Sequence, residues 1–178
     1  LLAITAAESA RAKCLVIGED LGTVPDGLRE RLSQVTILSY RVLWFEQDAA
    51  RFQPPESYPQ GAAVCLSSHD LAPFNGWRES ASYGDISKLA TAISDAGVST
   101  GDLLADAHAF VAKTPCALML VQADDLSEET EPLNVPGTDT ERPNWRRRLS
   151  VTVEAIPDLA TSKAVIAAIQ STGRGKDG

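Results

Sequence analysis

Two apolar runs in this chain stop abruptly at carboxylates. Leu15-Val16-Ile17-Gly18 ends at Glu19-Asp20 and is followed by Leu21-Gly22, and Cys65-Leu66-Ser67-Ser68 ends at His69-Asp70. A short apolar run closed by acids reads as a buried parallel strand delivering them to the mouth of a barrel or sheet. Chemistry in such folds gathers at that end of the strands. Paired acids there can do general acid/base work, provided burial or a neighbouring carboxylate raises the pKa of the one that donates. Each acid also has a plainer reading. A Glu-Asp pair at a strand end serves as a helix cap or a surface salt-bridge group, Asp20 is read as structural and bonded to the turn at Gly22, and Asp70 could cap a loop.

The elements that must position these residues alternate. An Ala-rich helix over Leu1 to Lys13 runs into a strand at Cys14 to Ile17, the order of an α/β repeat. After the turn Thr23-Val24-Pro25-Asp26-Gly27, Leu28, Leu32 and Val35 line a short helix. A second strand is expected over Thr36 to Phe45, ending at Glu46, and the three prolines between Asp48 and Gly61 mark a surface loop. The third strand is Ala62 to Leu66, after which Pro73, Asn75 and Gly76 predict a loop. Ile86, Leu89, Ala90 and Ile93 share a helical face from about Asp85, and Ser99 or Thr100 is expected to cap a helix carrying Leu103, Leu104, Ala107, Phe110 and Val111. The fourth strand is Cys116 to Val121. Glu128 to Arg142 is polar and turn-rich, Leu159 to Ile169 predicts a last helix, and Arg174 to Gly178 a frayed end.

The totals exclude several classes. At 178 residues, 44% hydrophobic and 22% charged, the composition is that of an ordinary globular domain able to bury a core. A formal charge of −8 argues against nucleic acid or an anionic membrane as partner, because a surface that repels phosphate gains nothing from counterion release. A neutral substrate is compatible with it. Cys14, Cys65 and Cys116 are odd in number, far apart and set in apolar runs, so they read as three buried reduced thiols in a cytoplasmic protein. No cysteine spacing suggests zinc, His108 reads as a core or solvated histidine, and no metal or cofactor is expected. No stretch approaches a membrane span, and the start lacks the plan of a signal peptide.

The ordered motifs carry more than any one of them. Ile17-Gly18-Glu19-Asp20-Leu21-Gly22-Thr23-Val24-Pro25, then Ser39-Tyr40-Arg41-Val42-Leu43-Trp44-Phe45-Glu46, then Ser68-His69-Asp70 with Gly76-Trp77, resemble the C-terminal half of the amylomaltases, the 4-α-glucanotransferases or disproportionating enzymes related to α-amylases. Asn134-Val135-Pro136-Gly137-Thr138 and Pro143-Asn144-Trp145-Arg146-Arg147-Arg148-Leu149 resemble the family's final signature. The likeness covers about Cys14 to Leu149. It implies an α/β fold, the C-terminal half of a (β/α)8 TIM-type barrel with strands five to eight in a single partial catalytic domain over 1–178, its last residues 171–178 a frayed tail. A missing N-terminal half of the same chain would complete it.

The resemblance further implies transfer of α-1,4-glucan segments between maltodextrins or to glucose, with retention. Glu19 matches the family's general acid/base, Asp70 the acid that holds hydroxyls of the transferred sugar, and His69 the histidine beside it. Trp77, Asn134 and Trp145 are the further substrate-binding candidates, with Trp44, Trp77 and Trp145 as candidate stacking surfaces; as bare residues they read as core side chains and a turn. The nucleophile belongs to an Arg-x-Asp strand that has no match here. A hydrolase of α-glucans and a non-catalytic glucan-binding protein stand as the alternatives.

Overall fold

In the computed structural model, which describes residues 1–175, three short segments make a parallel sheet. They are β1 (Ser39–Val42), β2 (Ala62–Cys65) and β3 (Leu118–Leu120), hydrogen-bonded in that order. Ser39 stands opposite Ala62 and Val42 opposite Cys65, while Ala63 and Cys65 stand opposite Leu118 and Leu120. β2 is buried at every residue, as its Ala-Ala-Val-Cys sequence requires of a central parallel strand covered on both faces.

Two expected strands are shorter than predicted. Thr36 takes a φ of +56° and Leu43–Phe45 tighten into a 3-10 turn, so β1 occupies only the middle of Thr36 to Phe45. β3 likewise loses both ends of Cys116 to Val121. The segment at Cys14 to Ile17 does not become a full strand. A single parallel bridge joins Ile17 to Leu38, where Gly18 N donates to Leu38 O and Leu38 N to Val16 O. Leu15 and Ile17 remain 68% and 38% exposed.

Seven α-helices are described: α1 (Leu2–Ala12), α2 (Leu28–Gln34), α3 (Phe74–Ser80), α4 (Tyr83–Asp95), α5 (Leu103–Ala112), α6 (Ala123–Leu126) and α7 (Ala160–Ser171). The core joins Val64 and Leu66 of the central strand segment to Phe74, Leu89, Ile93, Phe110, Val111 and Val165. Each such side chain contributes about 1.5–3 kcal/mol by leaving water. α5 is buried from Leu104 to Ala112 because α4 and α7 flank it. α1, by contrast, buries no residue.

The local signals explain several departures from expectation. α4 starts two residues early because Ser82 and Asp85 form a reciprocal capping box. α5 is capped by Asp102, which accepts from Leu104 N and Ala105 N, and not by Ser99 or Thr100. Thr100 instead donates its N–H and hydroxyl to the Asp106 carboxylate. The segment after Pro73, expected as a loop, is the helix α3. Its Gly76 is needed for close approach, since an added Cβ would lie 1.9 Å from Thr130 O. Cys14 is exposed, against expectation, while Cys65 and Cys116 are buried.

Arg174, expected to fray, is tied down by donating to the Ala112, Thr114 and Cys116 carbonyls; residues 176–178 of that expected tail lie outside the described residues. Among the described residues no helix is long and apolar enough to cross a membrane. No group of three or more His, Cys, Asp or Glu side chains is gathered to hold a metal ion there.

Candidate functional site

Because the sheet is parallel, the segments that leave Ile17, β1, β2 and β3 emerge at one edge, and this edge collects the polar residues. After Ile17 come Glu19 and Asp20, after β1 comes Glu46, after β2 come Ser67 to Asp70, and after β3 come Asp124 and Asp125. Glu19 and Asp70 thus share an edge, with β1 between their segments.

The two acids of the first pair have opposite surroundings. Asp20 is 2% exposed. Its carboxylate accepts from Ser39 Oγ at 2.5 Å, Tyr40 N at 2.7 Å, Arg29 Nε at 2.9 Å and Arg41 Nη1 at 3.2 Å. Burial alone would push this acid up, but the bonds from Ser39, Tyr40 N–H and Arg29 and the charge of Arg41 outweigh it and hold the carboxyl at about 2. Asp20 is structural, as expected, yet its partners are on α2 and β1, not the Gly22 turn. Arg29 was invisible to sequence reasoning because the intervening loop, not a helical spacing, brings it back.

Glu19 is exposed. The Tyr40 hydroxyl stands in its field: burial first, then the hydrogen bond shared with Cys65, 3.1 Å away, and the negative charges of Cys65 and Glu19 all oppose its ionisation. On the far side of Asp20, Arg41 also reaches Glu46, 3.6 Å from Nε. Burial raises Glu46, partly offset by Arg41 and Arg29.

The second acid sits in a stitched turn. Ser67 Oγ donates to Ala72 O and Asp70 N to Ser68 Oγ, which fixes the path out of β2. The loop at 133–145 folds back onto this turn. Asn134 N donates to His69 O at 3.1 Å, and Asn134 Nδ2 donates to Asp70 Oδ1 at 2.6 Å. His69 Nε2 is 3.4 Å from the same oxygen. The Trp145 ring lies tilted over His69 with centroids 5.1 Å apart.

Asn144 shapes the loop from within, accepting from Val135 N and donating to Thr138 O and Oγ1. Trp145 closes it by donating N–H to Leu133 O. Its φ of +62° is one that a bulky residue adopts only under constraint. The side chains of His69 and Asp70 are 48% and 36% exposed, so the cluster is open to a ligand. A polar cavity of about 550 Å³ continues from it between Asn134, Asn144, Trp145 and Arg146.

The structure therefore brings His69, Asp70, Asn134 and Trp145 together. Trp77 joins a different set: it stacks on Trp44 at 4.3 Å and leans on Phe74 at 5.6 Å, packed against the core. An open carboxylate with an amide, an imidazole and an indole around it can hold the hydroxyls and apolar face of a neutral polyol.

Parallel α/β architecture with a polar cluster at the carboxyl edge of the sheet places this chain among the α/β proteins, whose sites lie at that edge. The family model for 4-alpha-glucanotransferase, glycoside hydrolase family 77, matches residues 1–153, and the chain belongs to that family. The 4-alpha-glucanotransferase of Haemophilus influenzae is 30% identical over 185 residues, covering 84% of this chain and 26% of the Haemophilus protein. That of Mycobacterium tuberculosis is 30% identical over 179 residues, covering 82% and 25%. The chain thus spans about a quarter of the length of these relatives.

Among solved structures, amylomaltase from Corynebacterium glutamicum superposes with a TM-score of 0.77 at 27% identity, covering 93% of this chain and 30% of that one. Amylomaltase from Streptococcus agalactiae, solved with acarbose, matches in fold with a TM-score of 0.75 at 16% identity, covering 96% and 34%.

Proposed function

We propose that this chain is the C-terminal half of a (β/α)8 barrel and supplies the acid/base side of a retaining 4-α-glucanotransferase that moves α-1,4-glucan segments between maltodextrins or to glucose. The observation that carries this reading is the 2.6 Å bond from Asn134 to Asp70. It joins two motif segments 64 residues apart into one sugar-sized cluster at the edge where Glu19 also emerges.

In this mechanism Glu19 protonates the leaving glycosidic oxygen and later takes the proton from an acceptor hydroxyl. Asp70, His69 and Asn134 hold hydroxyls of the transferred sugar, contacts worth about 2–4 kcal/mol as the ring flattens in the transition state, and Trp145 offers an apolar face. The attacking carboxylate must stand about 5 Å from Glu19, and the Arg-x-Asp strand expected to carry it has no match in these 178 residues. The complementing half of the barrel is the partner that supplies it. Three unpaired thiols fit work in the cytoplasm.

The test uses the 178-residue chain with maltotriose and, separately, with acarbose. The expectation is acarbose binding by calorimetry without turnover of maltotriose. Products longer than maltotriose from the purified chain would place a nucleophile within it, glucose and maltose alone would indicate a hydrolase, and absence of binding would remove the sugar-cluster reading.

A further inference from the structure

Beneath the site lies a second His–Asp pair that the transfer chemistry does not use. His108 of α5 and Asp125 of α6 have fully buried side chains, with His108 Nε2 and Asp125 Oδ2 3.7 Å apart and neither holding another hydrogen-bond partner among the described residues. The other atom of each is committed. His108 Nδ1 lies 2.9 Å from Leu104 O, a carbonyl that can only accept, so Nδ1 carries the ring hydrogen and Nε2 presents a lone pair. Asp125 Oδ1 accepts from Phe74 N at 2.7 Å.

An ionised Asp125 would therefore aim one lone pair at another in a dry interior and leave two buried polar atoms unsatisfied. Moving the proton to His108 would bury two charges instead, at a desolvation cost that the pair's attraction need not recover. A proton on Oδ2 satisfies both atoms with no net charge, after a small side-chain rotation to O–H···N distance.

We propose that Asp125 and His108 share one proton as a buried neutral pair, and that this pair is the anchor that positions the His69–Asp70 segment. The connection runs through Phe74, the first residue of α3, whose N–H the same carboxyl holds. Residues 67–73, between β2 and α3, are fixed upstream by the sheet and downstream by this bond. Asp125 is a positioning residue, remote from any reacting atom.

Burial pushes Asp125 up to about 6, opposed by the Phe74 N–H and helped by the charge of Asp124. Burial also lowers His108, opposed by its bond to Leu104 and by the field of Asp102. The groups facing the pair are thus Asp124 on α6, itself paired with Arg147, the Cys65 thiol on β2 and Asp102 ahead of α5. The Cys65 S–H is committed to the Tyr40 hydroxyl.

Proton counting gives an unusual signature. Between about pH 4 and 6 the unfolded chain carries one proton on the pair, on His108, and the folded chain also carries one, on Asp125. Stability then gains no slope from the pair. Asp125→Asn removes only the folded-state proton, so its unfolding constant, relative to wild type, should fall about tenfold per pH unit as pH rises in this window. His108→Gln removes the unfolded-state proton and should show the opposite slope.

Urea unfolding of the 178-residue chain and both variants across this window measures the slopes, and infrared spectroscopy looks for the carbonyl band of a protonated carboxyl at pH 5.5, lost in Asp125→Asn. Hydrogen exchange of residues 67–74 tests the anchor, with Asp125→Ala exchanging at least tenfold faster while Asp125→Asn stays near wild type. A spectrum with ionised carboxylate only, variant slopes of equal sign, or Asn exchanging as fast as Ala would each overturn the proposal.

Discussion

Asp20 and Asp70 leave the same edge of the same sheet, and their surroundings could hardly differ more. Asp20 is saturated by four donors and sealed from water, whereas Asp70 has one amide, one imidazole at its margin and an open side. A carboxylate sealed in this way, with three donors on Oδ2 and the Tyr40 N–H on Oδ1, holds elements together and offers no open side to a ligand. In the Glu19-Asp20 pair the side chain left open to solvent is therefore Glu19, while Asp20 keeps α2 and β1 in place.

The strongest way to break this contrast is to remove the charge at Asp20. Asp20→Asn leaves the Arg41 guanidinium, only 10% exposed, with Glu46 as its remaining carboxylate, and breaking a buried pair in this way should cost up to about 3–5 kcal/mol of stability, read by urea unfolding. The pH dependence follows from the same site. The folded carboxyl titrates at about 2, below its unfolded value, so its stabilisation is complete above about pH 4 and is lost as pH falls through 2. Acid unfolding of the wild type should therefore retain a component in that range that is absent from Asp20→Asn.

An intermediate effect is expected at Gly76, and it sharpens the contrast because it acts on the Asp70 side alone. A methyl group there must displace the Thr130 carbonyl, so Gly76→Ala should cost about 1–3 kcal/mol and push the chain leading to Asn134 away from Asp70. Slower unfolding or unchanged stability would show that this loop does not lean on α3.

Gly76 also marks where the sequence was hard to read. Pro73, Asn75 and Gly76 are loop residues by local preference, yet Phe74 is pulled into the core and Asp125, far along the chain, holds its N–H, so tertiary contacts made a helix. The alternating elements, the central strand Ala62 to Cys65 and the last helix were legible because apolar periodicity is a local signal. The grouping of His69, Asp70, Asn134 and Trp145 was legible only through the resemblance, since no spacing rule connects residues 69 and 145. The saturation of Asp20 by Arg29 and Arg41, the capping by Asp102 and the His108–Asp125 pair were not legible at all, because each depends on where the backbone turns.

The smallest stability change and the most specific binding change should come from Asp70 itself. Its side chain is about one-third exposed and its one strong donor, Asn134, can turn to water, so Asp70→Asn should shift stability by no more than about 0.5 kcal/mol. The replacement keeps shape while exchanging a carboxylate acceptor for an amide, and hydrogen bonds from sugar hydroxyls to a charged acceptor are the stronger kind. On the proposed glucan-site reading, acarbose binding by calorimetry should therefore weaken by about tenfold or more. Asn134→Ala should weaken it less, because it frees Asp70 to rotate without removing the charge. A loss of stability in Asp70→Asn comparable to that in Asp20→Asn would erase the distinction between the two acids and return Asp70 to a loop cap.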